Sequence, residues 1–205
     1  MIKSSVYLAT MTNNSLNVFN VIDTDIHRHK RKIISQPIEG RALKEFEPTI
    51  IEQIDIFISQ VHAASVSGQH VNMSELCPRL GIDIIGHLAF GYSLNLQTED
   101  TYRFLPPAFD LGRARINLFM LYPPLTILDR LIKYLTRSKR ERILAMLRTM
   151  IAARTVQDKN AKPDFYSFAS GNMDEGSGDF ENSELWAEAT FFVTAGLLLQ
   201  GPFLK

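Results

Sequence analysis

The stretch "LCPRLGIDIIGHLAF", residues 76–90, is apolar on nearly every side of a helix, with Asp83 and His87 as exceptions. A surface helix carries a single apolar stripe, whereas one that is apolar all round belongs inside a bundle. Asn72 followed by Glu75 supplies a cap resembling a capping box just ahead of it. The fold is therefore expected to be built around this helix.

Reading outward toward the N-terminus, Leu43, Phe46, Ile50, Ile54, Phe57 and Val61 recur at three and four, one face of an amphipathic helix to about Val66. Asp23 or Asp25 can cap an earlier helix that runs to Ser35, with Pro37 ending it. Residues 1–22 surround the turn signal "TNNS" and read as irregular.

Toward the C-terminus, "SLNLQTED" reads as a loop, and Pro106, Pro107, Pro123 and Pro124 frame a shorter helix from Phe109 to Leu121. Ser138 and Glu141 form a capping box opening a helix to about Val156, with Ile143, Leu147, Met150 and Ile151 on one side. Residues 158–182 are polar and glycine-rich, a flexible loop around a short "DFYSFA" turn, and Asn182 or Ser183 caps a last helix from Glu184 to about Leu199. Strand candidates are few and no repeat is visible. The expectation is one all-α domain over residues 1–205.

Composition narrows the function. Lys plus Arg and Asp plus Glu are both 22, so the chain is formally neutral, unlike dedicated nucleic-acid binders. Cys77 is the only cysteine, which excludes an intramolecular disulfide and fits a reducing compartment. Placed before Pro78, it reads as a small core residue. No signal-peptide core opens the chain, and "TFFVTAGLLLQGPFL" falls short of the roughly 18 to 20 apolar residues of a membrane span. A cytoplasmic or peripheral location is expected for these residues.

The neutral chain nevertheless contains "HRHKRK", residues 27–32. Residues four apart share a helix face, so His27 and Arg31 point one way and Arg28 and Lys32 form a second row. The first pair suits a carboxylate, with arginine offering fork geometry. Arg28, His29, Lys30 and Lys32 are expected to be mostly solvated. His62, His70 and His87 have no triad or ligand spacing, and there is no Gly-rich phosphate loop, GxSxG or HExxH motif. No catalytic or metal-ligating residue follows from the spacing. In the last helix, Ala195 and Gly196 would let something flat approach the backbone, or let another helix cross closely.

Taken together, the segments resemble fungal cytochrome P450 monooxygenases, the haem-thiolate enzymes. "DIHRHKRKIISQPIEGRALKEFEPTI" looks like the family's C helix and the start of its D helix, and "GIDIIGHLAFGYSL" is similar to its E helix. "KPDFYSFA", an acidic glycine-rich loop and "ELWAEATFFVTAG" look like the lead into its I helix. The resemblance covers about residue 5 to Gly196, a partial P450 fold from the C to the I helix.

The resemblance implies a haem cofactor whose propionates fall to His27 and Arg31, and a haem face at Ala195 and Gly196. It also implies an NADPH-cytochrome P450 reductase as partner, a lipophilic substrate of secondary metabolism and an endoplasmic reticulum setting. Where the family has an acid and a threonine after Ala-Gly, this chain has Leu197, Leu198 and Leu199, which carry no exchangeable side-chain proton. Residues 197–205 read as a divergent tail, and Cys77 matches no axial-ligand motif. The chain is expected to be a truncated, inactive fragment. Two propionate contacts, at about 1.5–3 kcal/mol for each hydrogen bond to a charged group, imply haem retention of millimolar order at best. Phe191, Phe192, Val193 and the leucines are expected to form an exposed apolar patch, open to self-association. The alternative is a non-catalytic helical interaction protein using that patch; a nucleic-acid binder is disfavoured.

Overall fold

The computed structural model describes residues 3, 4, 7, 8, 11, 15–35, 40–158, 161, 164–169 and 183–198. They form α1 (Thr24–Ser35), α2 (Gly40–Val66), α3 (Met73–Phe90), α4 (Leu105–Leu121), a 3-10 turn (Pro123–Leu128), α5 (Asp129–Leu135), α6 (Arg137–Thr155), α7 (Phe165–Ala169) and α8 (Glu184–Leu198). Among the described residues there is no strand, and the fold class is the expected all-α one. Pro37, Asn182 and most of the 158–182 loop lie outside the described residues.

α3 is the central helix. It packs most extensively on α8 and also touches α2, α4, α6 and α7. Its start is fixed by Asn72, whose side chain accepts from the Ser74 N–H at 3.1 Å while its amide donates to Glu75. Its end is fixed by Gly91 in the left-handed conformation (φ 56°), a stop that glycine adopts without Cβ strain. One turn earlier, Gly86 allows a close approach: a Cβ there would lie 2.9 Å from the Tyr92 carbonyl oxygen and Leu94 Cδ1.

Asp83, the polar exception on this helix, is buried and accepts the Leu96 and Gln97 N–H groups at 2.8 and 3.0 Å. It thereby fastens the following loop to α3. Burial still raises its carboxyl above the usual range, against the opposing pull of those hydrogen bonds.

Other boundaries follow local chemistry. Asp23, rather than Asp25, caps α1, accepting the Asp25 and Ile26 N–H groups at 2.9 Å. Pro106 and Pro107 do not precede α4 but sit in its first turn, where a missing N–H costs nothing. Ser138 does not cap α6 either. The helix begins at Arg137, and Glu141 pairs with Arg137 at 2.7 Å instead of reaching back to a cap. Ser183 caps α8, its hydroxyl accepting the Trp186 N–H at 3.0 Å.

The core joins α1, α3, α4, α6, α7 and α8 through Ile33, Ile34, Ile82, Phe90, Leu105, Leu147, Met150, Phe165, Trp186 and Val193. Each such side chain contributes roughly 1.5–3 kcal/mol on leaving water. The α2 stripe is covered only in part: Phe46 is buried, but Leu43 and Ile54 are exposed.

The expected patch on the last helix is overturned at Phe191, Phe192 and Val193, while the side chains of Leu197, Leu198 and Leu199 lie outside the described residues. Val193 is buried, and Phe191 and Phe192 are half-buried. Phe192 packs 4.4 Å from Phe165, and Phe191 stacks 5.8 Å from Phe19. Among the described residues α8 has partners within the chain, α3 on one side and the N-terminal segment on another. Exposed apolar side chains gather instead around the connection from α4 to α5, including Leu121, Ile127, Tyr134 and Leu135. No helix of the described residues is long and apolar enough to cross a membrane.

Candidate functional site

Two features stand out: a cationic row on α1, a helix joined to α8 through Lys30, and an apolar cavity walled in part by α8. At about 100° per residue, Lys30, Ile33 and Ile34 fall in one arc of α1, and all three are buried. His27 sits at the edge of that arc and is half-buried; Arg31, one turn on, is exposed. Burial pushes the His27 imidazole below its usual value, and the nearby Lys3 and Arg31 charges push it the same way. Neutral imidazole keeps one N–H donor, and beside it stands a guanidinium with five. Among the described residues Arg31 has no carboxylate partner. A row of donors under positive potential, lacking an anion of its own, fits a ligand bearing carboxylates.

Lys30 departs from the solvated position expected for it. Its side chain is 2% exposed, and its ammonium lies 3.1 Å from Glu184 and 3.4 Å from Glu188 on α8. The reason is geometric: Lys30 occupies the same arc as Ile33 and Ile34, so it must enter the interface and bring its charge to a carboxylate. Glu188 is itself buried, and burial raises its carboxyl to about 7, although the Val18 N–H and Lys30 favour the ionised form. Lys3 also faces this carboxylate electrostatically, while its ammonium donates to the Val18 and Phe19 carbonyls at 2.9 and 3.0 Å. Asn17 completes the N-terminal turn by accepting the Phe19 and Asn20 N–H groups.

The cavity holds about 310 Å³ and is bounded by α4, α5, α6, α8 and the N-terminal segment. Phe19, Phe109, Ile116, Ile143, Leu144 and Phe191 form much of its wall. Its size is at the lower end of the range for small-molecule pockets, roughly 300–1,000 Å³. At one end the charges are paired within the chain, Arg113 with Asp110 at 2.5 Å and Arg115 with Asp129. What remains on offer to a ligand is mainly apolar.

Ala195 and Gly196 fall toward the end of α8. At 1.5 Å per residue they lie about 10 Å along the axis from Glu188. Their immediate surroundings are outside the described residues. Cys77 is half-buried on α3. Among the described residues no group of three His, Cys, Asp or Glu side chains could hold a metal ion.

Sequence reasoning singled out the 27/31 row but missed Lys30 with Glu188, and it missed the cavity. The repeat of Lys30, Ile33 and Ile34 at three and four was the available signal for the first. Nothing local signals the second, which depends on the lateral arrangement of four helices.

Residues 1–197 match the family described as Cytochrome P450. Among curated proteins, the chain is 33% identical over 96 residues to the cytochrome P450 monooxygenase ataY of Aspergillus terreus, covering 46% of this chain and 42% of that one. It is 24% identical over 203 residues to the cytochrome P450 monooxygenase poxM of Penicillium oxalicum, covering 95% and 40%. It is 27% identical over 193 residues to a trichothecene C-4 hydroxylase of Trichoderma arundinaceum, covering 88% and 37%. The chain spans about two fifths of the length of these relatives.

Proposed function

Because the chain belongs to the cytochrome P450 family, we propose that its helices form the haem- and substrate-facing part of a haem-dependent monooxygenase. The substrate would be a lipophilic small molecule of fungal secondary metabolism. The observation that carries this reading is the largely apolar cavity of about 310 Å³ whose wall includes Phe191 of α8. His27 and Arg31 would hold the haem carboxylates, and Ala195 and Gly196 would allow its close approach to the backbone. The chemistry supplied by a bound haem would be activation of dioxygen, with electrons from an NADPH-dependent reductase, for insertion of one oxygen atom into the substrate. The cavity residues exclude water and orient the substrate by shape. An endoplasmic reticulum setting belongs to the same reading.

The 205 residues by themselves would hold haem weakly and leave the reaction undone. Leu197, Leu198 and Leu199 offer no exchangeable proton. The only thiol, Cys77, belongs to α3, away from the 27/31 row in sequence and in any axial-ligand pattern. Thiolate ligation is what favours O–O cleavage in this family. The test is the ferrous carbon monoxide spectrum of the chain loaded with haem. A spectrum without the red-shifted thiolate Soret band is expected; that band would overturn the inactivity.

A further inference from the structure

Lys30 does nothing in the reading above, yet its ammonium is buried between α1 and α8 with Glu188 at 3.4 Å and Glu184 at 3.1 Å. A pair this deep is a poor source of net stability, since desolvation offsets much of the attraction. What it does provide is position. An apolar contact tolerates sliding, whereas a buried ammonium must stay within reach of its carboxylate or bear the cost of an unpaired charge.

Around α1, Lys30 stands about 60° from His27 and about 100° from Arg31. Any roll of the helix that carries Lys30 away from Glu188 carries the His27–Arg31 row with it. With side-chain tips about 5–6 Å from the axis, a roll of about 20° moves them by about 2 Å, enough to break a hydrogen bond. From other sides the Val18 N–H and the field of Lys3 in the N-terminal segment favour the ionised form of Glu188, with Glu184 opposing on its own helix.

We infer that Lys30 and Glu188 are positioning residues that lock the roll of α1 against α8 and so aim His27 and Arg31 at the carboxylates of the haem. This rests on the assignment of the 27/31 row as the haem-carboxylate site.

The test compares the full chain with H27Q/R31Q, K30M and K30M/E188L. Haem affinity is read from quenching of Trp186, the only tryptophan, and from ferric Soret absorbance. Thermal unfolding is followed in parallel, and the His27 ring is titrated by NMR without haem. H27Q/R31Q should weaken haem binding about tenfold or more with unchanged melting. K30M should lower both melting and affinity, because it strands a buried carboxylate. K30M/E188L should recover the melting temperature but keep the haem defect, also about tenfold. In the same double variant His27 should titrate closer to the ordinary histidine value, as the row leaves its place beside Lys3. The charges that depress His27 are Lys3 and Arg31, not Lys30, so the shift reports position rather than the loss of the Lys30 ammonium.

Recovery of both melting and affinity in the double variant, with His27 titrating as in the parent, reduces Lys30 to a structural role and overturns the inference. Unchanged affinity in H27Q/R31Q overturns the site assignment instead, and haem binding too weak to saturate leaves the decision to the His27 ring. The His27 titration then still decides whether the pair sets the roll of α1.

Discussion

Arg154 on α6 meets Asp164, just before α7, at 2.6 Å through Nε, with both side chains almost wholly buried. A second contact joins Nη2 to the other carboxylate oxygen at 3.2 Å, and Nη1 donates to the Asp158 carbonyl at 2.9 Å. The guanidinium also lies 4.8 Å from the centre of the Tyr166 ring. The chain between α6 and α7 is thus tied off at both ends by one side chain.

Removing one partner leaves the other buried and uncompensated. Asp164→Ala is expected to cost about 3–5 kcal/mol. Asp164 also accepts the Ser167 N–H at 2.9 Å, so the first turn of α7 should loosen too. Urea unfolding by circular dichroism measures the loss. A cost below about 1 kcal/mol, the value of an exposed pair, would show that the bridge is not buried in solution.

The Asp83 carboxylate makes a similar prediction on a smaller scale. It satisfies two backbone N–H groups that have no other route to water. Asp83→Asn keeps one acceptor and turns an amide toward the second N–H, which is expected to cost about 1–3 kcal/mol. Hydrogen exchange should speed up at Leu96 and Gln97 and leave α8 unchanged; uniform acceleration would mean that Asp83 acts on the whole fold.

Glu188 gives the chain a pH dependence of definite sign. Its carboxyl is raised from 4.5 to about 7 in the fold. Between those values the folded chain keeps a proton that the unfolded chain releases. The resulting stability is fully present below pH 4.5 and is lost as pH rises through about 7. The gap is worth about 3 kcal/mol at 1.36 kcal/mol per pH unit. Glu188→Gln should flatten this part of the profile, and chemical denaturation at intervals from pH 5 to 8 would show it. A profile identical to that of the parent would place the titration elsewhere.

What the sequence revealed and what it hid follow from the range of the interactions. The start of α3 at Asn72 and the start of α8 at Ser183 were legible because a cap and its N–H partners lie within three residues. The all-round apolar character of α3 gave its central place for the same reason. α5 escaped notice because its seven residues are largely exposed and lack a cap hydrogen bond. The burial of Lys30 was hidden because its partner Glu188 is brought to it only by tertiary packing. Phe191 and Phe192 looked like an exposed patch for the opposite reason: their covers, Phe19 and Phe165, come from segments that the sequence marks as irregular or loop.

Gly112 offers a way to test the cavity without touching the haem-carboxylate row. It lies within α4 on the cavity wall, and a Cβ placed there meets nothing within 4 Å. Glycine inside a helix costs about 0.8–1.0 kcal/mol relative to alanine, so Gly112→Ala should stabilise the chain by about that amount. Gly112→Phe adds a ring to a space of about 310 Å³ and should occupy a large part of it. A lipophilic fluorescent probe that binds the parent chain should then bind Gly112→Phe at least about tenfold more weakly, as for any ligand that loses its pocket. Gly112→Ala should keep the probe affinity within about threefold, because one methyl leaves most of the space open. Equal binding to parent and Gly112→Phe, with both melting cooperatively, would place the apolar site outside the α4–α6–α8 cavity.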